Sequence, residues 1–277
     1  DVRVSTLPTI YGEKVVLRLL TRRVELLELR NLGFSARQYE DYCRAIARPF
    51  GMVLICGPTG SGKSTTLYAT LRRLNALTDN ILTIEDPIEY TLEGVNQVQL
   101  KEEIGLTFGA ALRTFLRQDP DIIMLGEIRD ADTAAMAIRS SLTGHLVFST
   151  IHTNSAWGSV SRLRDMGVHP YLLSGTLILC AAQRLVRLLC PDCKKEAKLT
   201  VQEREQVYGK EASPPGHSHF RPIGCERCYY TGYRGRRAIY EVIPIDDELA
   251  EAVRESRPNI APLLEKRGIT TLKDSAL

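Results

Sequence analysis

The sequence predicts an α/β fold, a mainly parallel sheet with helices on both faces, and two observations carry that expectation. From Met52 to Met166, short apolar runs alternate with helix-forming ones, the order that strand–helix–strand units produce. Within that order, Gly57-Pro58-Thr59-Gly60-Ser61-Gly62-Lys63-Ser64-Thr65 stands between an apolar run, Met52–Cys56, and a helix-forming run, Thr66–Leu77. Strand, glycine turn and helix are the context that a phosphate-binding loop requires. Ligands of such sheets sit at the carboxyl ends of the strands, so residues just past each strand are the candidates to inspect.

Taken in order, residues 1 to about 20 give two strands, Arg3–Leu7 and Lys14–Leu20, joined by a Pro/Gly turn. The chain opens in mid-strand without a Met, so residues 1–34 read as the end of a preceding domain and a linker. Ser35-Ala36-Arg37-Gln38 has the spacing of a capping box and starts a helix that runs to about Ala47, before Pro49. The core, residues 35–186, continues past the glycine turn with strand Ile81–Ile84, helix Phe108–Arg117 and strand Ile122–Leu125. Helix Thr133–Leu142, strand Leu146–Ile151 and helix Ser155–Met166 follow. Past Cys190 the alternation fails. Residues 187–240 read as a cysteine-bearing lobe with a polar stretch around Pro214-Pro215-Gly216, and 241–277 as a helical tail.

Chemistry follows from residue types at these places. Glycines let backbone N–H groups turn inward around phosphate oxygens, and a helix N-terminus adds partial positive charge. Lys63 is placed to reach the β- and γ-phosphates, and the Ser64 hydroxyl to ligate Mg²⁺. Hydrolysing a phosphoanhydride also needs a carboxylate that orients or deprotonates water. Glu85, Asp86 and Glu89 follow the strand Ile81–Ile84, and Glu127 follows Ile122–Leu125, on strands expected to flank the loop strand. The usual acid at the second place is an Asp at the strand end; here Gly126 stands there and Glu127 comes next. His145 and His152, with Thr150 and Thr153, belong to the strand expected next in the sheet. They are either hydrogen-bonded structural residues or reporters of the γ-phosphate. Arg113 and Arg117, four apart on a helix, form either a solvated basic face or guanidinium fingers aimed at a neighbour's triphosphate.

These stretches resemble a known family. Gly57–Thr65, Ile84–Tyr90, Asp121–Arg129 and Leu142–Asn154 look like the Walker A, Asp box, Walker B and His box of the type II/type IV secretion and pilus ATPases, in the family's order. The resemblance implies a RecA-like ATPase core preceded by a small PAS-like domain, in a homohexameric ring with ATP at subunit interfaces. It implies that residues Gly57 to Thr65 bind ATP together with Glu85 and Asp86, and that Ser64 and Glu127 hold Mg²⁺. It makes Glu89 the candidate to activate water, and His145 and His152 the reporters of the γ-phosphate. Arg3 and Arg18 match arginines at the end of the family's N-terminal domain that reach toward nucleotide, and Arg113 and Arg117 match core ones. By the same match, residues 1 to about 30 are the tail of a truncated domain, and the family's last C-terminal segment looks missing.

The cysteines sort into two groups. Cys43, Cys56 and Cys180 are single residues in apolar or helical stretches, as buried thiols of a reduced cytosolic protein would be. Cys190-Pro191-Asp192-Cys193 and Cys225-Glu226-Arg227-Cys228 are paired knuckles whose four thiolates suit a structural Zn²⁺. A redox dithiol is the rival reading, and His217 and His219 are alternative ligands. The basic run Tyr233–Arg237 reads as a solvated loop or partner-facing patch. Tetracysteine insertions mark the secretion and pilus-assembly members of the resembled family and are absent from its retraction motors.

Composition narrows the classes. With 44% hydrophobic and 25% charged residues, the chain has the balance of a soluble globular protein. A formal charge of +3 does not argue for nucleic acid or an anionic membrane. No apolar run approaches the roughly 20 residues that span a bilayer, and no signal-peptide pattern opens the chain. The resemblance thus implies a cytoplasmic ATPase at the inner face of the bacterial inner membrane, held there through secretion or pilus platform proteins. Its work would be pseudopilus assembly in type II secretion, with type IV pilus assembly as the alternative. A nucleic-acid motor and a nucleotide-gated scaffold without turnover are the rivals from other classes.

Overall fold

The first two strands form a sheet of their own. In a computed structural model that describes residues 2–19, 28–208, 218–257 and 259–276, β1 (Val2–Thr9) pairs antiparallel with β2 (Gly12–Leu19). Helix α1 (Ala36–Ile46) then begins at the expected capping box: the Ser35 hydroxyl accepts from the Gln38 N–H, and the Gln38 side chain accepts from the Ser35 N–H. It buries Tyr42, Ala45 and Ile46.

The core follows the expected alternation with β3 (Gly51–Cys56), α2 (Lys63–Leu74), β4 (Ile81–Glu85), β5 (Asn96–Gln99), α3 (Phe108–Phe115), β6 (Ile122–Leu125), α4 (Ala131–Leu142) and β7 (Leu146–Ile151). Next come α5 (Gly158–Asp165), α6 (Pro170–Thr176) and a long strand, β8 (Leu177–Leu189). The cysteine-bearing segment contributes β9 (Lys195–Glu196), α7 (Val201–Tyr208) and β10 (Phe220–Arg221), with β9 and β10 paired antiparallel. The chain returns to the main sheet in β11 (Tyr233–Pro244) and closes with α8 (Asp247–Arg254) and α9 (Ala261–Lys266).

The main sheet has seven strands in the order β11-β8-β3-β7-β6-β4-β5. All adjacent pairs are parallel except β11, which runs antiparallel to β8. Side chains of β3 alternate between two cores, as a sheet covered on both faces demands. Met52, Leu54 and Cys56 pack with residues of α3, α4 and α8. Val53 and Ile55 join Tyr42, Leu67 and Leu71 on the α1 and α2 side.

Three expectations change. The strands that flank the loop strand β3 are β7 and β8, whereas the acid-bearing β6 and β4 lie second and third from it. The run Tyr233–Arg237 is the start of strand β11, not a loop, because its backbone pairs with the end of β8 through an irregular register between Tyr233 and Arg236. The helix expected from Ser155 begins at Gly158, whose N–H is bound by the Ser155 hydroxyl. The edge strand β5 and the pair β8–β11 were not anticipated: Leu177–Leu189 is an apolar run whose periodicity does not separate strand from helix.

Candidate functional site

At the carboxyl end of β3 the chain turns through Gly57, Gly60 and Gly62, all at positive φ, into α2. Gly57 is also required by a backbone contact, and Gly62 sits close to a side-chain tip. A Cβ on Gly57 would meet the Gln183 carbonyl oxygen at 2.5 Å, and one on Gly62 the Gln183 amide nitrogen at 2.8 Å. Gln183 on β8 is itself fixed by the Thr66 hydroxyl, which donates to it over 2.9 Å. The neighbouring strand therefore sets the curvature of the loop from behind.

Lys63 is buried at the first turn of α2, and its ammonium donates to the carbonyls of Gly57 and Pro58 at 2.9 and 3.0 Å. Burial lowers its pKa, an effect that Glu127 opposes. The Ser61 hydroxyl is buried with no hydrogen-bond partner among the described residues. A buried donor without a partner costs free energy that an anion at the loop would recover. Ser64 stands exposed one position further along the helix.

A cleft of about 900 Å³ opens over this loop, lined by Thr59 to Thr65 together with Glu85, Asp86, Glu89, Glu127 and His152. Both acidic clusters thus line the cleft beside the loop despite the two strands between β3 and β4. Glu85 is buried and accepts from Thr83 at 2.6 Å, from Gln97 at 3.0 Å and from the Tyr68 hydroxyl. Asp86 accepts from Arg129 at 3.3 Å. Glu127 is held between Arg129 and His152, the latter at 3.3 Å. Glu89 lies exposed on the same rim, its N–H donating to the Tyr68 hydroxyl at 3.1 Å. Thr150 donates to the Gly126 carbonyl at 2.7 Å, which ties the tips of β7 and β6 together.

Other expected residues lie elsewhere. His145 precedes β7 at its amino end, the edge of the sheet opposite the loop, and its Nδ1 lies 2.9 Å from the Ser140 carbonyl oxygen. In a parallel sheet the two histidines flanking one strand sit at opposite edges, so only His152 joins the cleft. Arg113 and Arg117 are exposed on and just after α3 and do not line the cleft of their own chain. Arg3 and Arg18 pair in register across the β1–β2 hairpin, while their side chains lie outside the described residues.

Arg129, Arg236 and Tyr68 line the cleft without having been singled out from the sequence. Arg129 bridges the two acidic clusters, and its signal was the lone arginine closing the Asp121–Arg129 motif. Arg236 reaches the cleft from β11, which the loop reading of its basic run concealed. Tyr68 lies on α2 one turn beyond Ser64, on the same face of the helix, with no sequence signal beyond that spacing.

The four paired cysteines converge. Their sulfurs all lie within 4.8 Å of one another, with Cys190–Cys225, Cys193–Cys228 and Cys225–Cys228 at 3.9, 3.8 and 3.7 Å. A tetrahedron with Zn–S bonds of about 2.3 Å has edges of about 3.8 Å, so the thiols fit that ion. The separations are far from the roughly 2 Å of a disulfide, and all four cysteines are free. Burial works against ionisation at Cys228, yet N–H donors of Cys225 and Gly232 bring its pKa down to about 6. His219 is engaged with Tyr208 at 3.4 Å rather than with the sulfurs, and His217 lies outside the described residues.

The chain resembles known proteins over nearly its whole length. A family model described as "Type II/IV secretion system protein" matches residues 1–276. Type II secretion system protein E of Aeromonas hydrophila is 52% identical over 261 residues, 94% of this chain and 52% of that protein. The type IV pilus assembly ATPase PilB of Myxococcus xanthus is 53% identical over 257 residues, 91% of this chain and 45% of its own length. The chain thus spans about half the length of the curated relatives it matches. Among solved structures, the pilus retraction motor PilT with bound ADP superposes with a TM-score of 0.69 at 28% identity, over 99% of this chain and 72% of that one.

Proposed function

This chain belongs to the type II/IV secretion system protein family, and from that premise we propose that its cleft hydrolyses ATP to drive type II secretion. The observation that carries the reading is the convergence of a lysine-bearing glycine loop with the Glu85–Glu89 and Glu127 acids in one cleft. In this reading the triphosphate replaces the Gly57 and Pro58 carbonyls as acceptor for Lys63, and takes the Ser61 hydroxyl, without a partner among the described residues, and the N-terminus of α2 as further donors. Glu89, exposed on the rim, orients or deprotonates the attacking water. Glu85, occupied by three donors, holds the loop rather than the water, and Asp86 holds Arg129 at the cleft.

Ser64 and Glu127 would hold Mg²⁺, which when bound offsets charge developing on the phosphoryl oxygens. His152 and Arg129 orient Glu127 for that task. The cysteine tetrahedron would hold a structural Zn²⁺ that fixes the segment between β8 and β11. Arg113 and Arg117, exposed outside their own cleft, are assigned to a neighbouring subunit's nucleotide in a homohexameric ring. Arg3 and Arg18 are assigned to the same assembled site, with β1 and β2 as part of a small PAS-like domain. Partners in this reading are inner-membrane secretion platform proteins, with no direct nucleic acid, and the location is the cytoplasmic face of that membrane. Among the described residues no helix is long and apolar enough to cross a membrane.

Pilus assembly is the second reading, favoured by an identity to PilB equal to that of the secretion proteins. Lys63→Ala tests the common core of both: phosphate release should fall to background, and wild-type turnover in that variant would remove the loop from the mechanism.

A further inference from the structure

The start of the loop that carries Glu89 is tethered to the phosphate-binding helix through the Tyr68 side chain. The Tyr68 ring is buried, packed edge-on against Tyr90 with centroids 4.3 Å apart. Its hydroxyl donates to the Glu85 carboxylate and accepts the Glu89 N–H at 3.1 Å. Burial and the adjacent Glu85 raise its pKa well above the ordinary tyrosine value, so the hydroxyl keeps the proton that this arrangement requires. On the far side of the loop, the Gln97 side chain donates to Glu85 at 3.0 Å and to the Tyr90 carbonyl at 3.2 Å, and accepts from the Leu92 N–H at 2.6 Å. Glu85 is thus the hub between two tethers, one from α2 and one from β5.

We propose that Tyr68 is a positioning residue for hydrolysis: it locks the Glu89 backbone to the same helix face that presents Ser64 to the nucleotide. The role rests on the reading of Glu89 as the water-activating acid. Ser64 and Tyr68 lie one turn apart on a rigid helix, so a phosphate seated at the N-terminus of α2 and the backbone of Glu89 share one frame. Without the hydroxyl, the Glu89 N–H and one Glu85 oxygen lose this partner, and the direct link from α2 to the Glu89 backbone is cut, while the Gln97 tether to Glu85 and the Asp86–Arg129 pair remain. The phosphate-binding groups themselves are untouched.

The test measures Mg-ATP turnover and binding of a non-hydrolysable analogue in the hydrolytically active protein, for Tyr68→Phe, Glu89→Gln and the double variant. Tyr68→Phe should lower kcat about tenfold, the effect of one buried hydrogen-bonding group, with analogue affinity within about twofold of wild type. Combined with Glu89→Gln it should slow turnover no further. Gln97→Met, which cuts the opposite tether and leaves α2 intact, should reproduce the kcat loss and the same non-additivity, and it serves if Tyr68→Phe fails to fold. Losses that multiply with an impaired Glu89→Gln, or a defect confined to nucleotide affinity, would overturn the role of Tyr68 alone. Wild-type turnover in Glu89→Gln would overturn the assignment of the acid itself.

Discussion

Gly57 shows how a single residue type sets the site. Its φ of 151° and the 2.5 Å approach of the Gln183 carbonyl leave no room for a Cβ. Gly57→Ala should therefore shift the loop, costing about 1–3 kcal/mol of stability by chemical denaturation and weakening nucleotide binding. A variant as stable as wild type, with unchanged affinity, would show that the Gln183 contact yields. The residue scale also explains what the sequence conveyed poorly. Lys63, Ser64 and the acids were legible because their chemistry is tied to a short spacing around one strand end. Arg129, Arg236 and Tyr68 were not, since what makes each a cleft residue is its distance to groups remote in sequence. The spacing of His145 and His152 was legible, yet it put both at one site, whereas the length of β7 separates them.

Helix α8 illustrates the same lesson for elements. Asp246 caps it, accepting from the Leu249 N–H at 2.9 Å, and pairs with Arg267 beyond α9 at 2.7 Å. Burial works to raise the Asp246 pKa, but Arg267 and the Leu249 N–H outweigh it, and the value lies below the ordinary aspartate one. A carboxylate with a depressed folded-state pKa stabilises fully above its unfolded value and loses that contribution as pH falls through the folded one. Thermal melts should therefore show acid destabilisation below about pH 4 that is smaller in Asp246→Asn, and identical pH curves would deny this cap its ionic component. The capping box at Ser35 was readable because both partners lie within one helical turn. The β8–β11 pair was not, because its register depends on a partner separated by the whole cysteine-bearing segment.

At the scale of the molecule, that segment is an excursion from the sheet, leaving after β8 and returning into β11. Its only described regular elements are the short β9–β10 pair, α7 and a 3-10 turn at Glu226–Cys228, with no buried residue in α7. Four thiols within 4.8 Å of one another bring its two ends together. Elemental analysis should find about one zinc per chain, and chelation should loosen the segment in hydrogen exchange, reaching into β11. A folded, metal-free protein with unchanged exchange would discard the zinc reading. Arg236 links this scale to the cleft, since the strand that leaves the cysteine knuckle also lines it.

The sequence by itself determined the parallel α/β class, the glycine loop between β3 and α2, the acids at the strand tips and the cysteine quartet. Each is written in local spacing or in periodicity, and neither needs a distant partner to be read. Only the tertiary structure decided the strand order, which histidine enters the cleft, and that Glu85 anchors a loop while Glu89 is left on the rim. Those outcomes depend on hydrogen bonds between segments far apart along the chain, and residue spacing carries no record of which segments will meet.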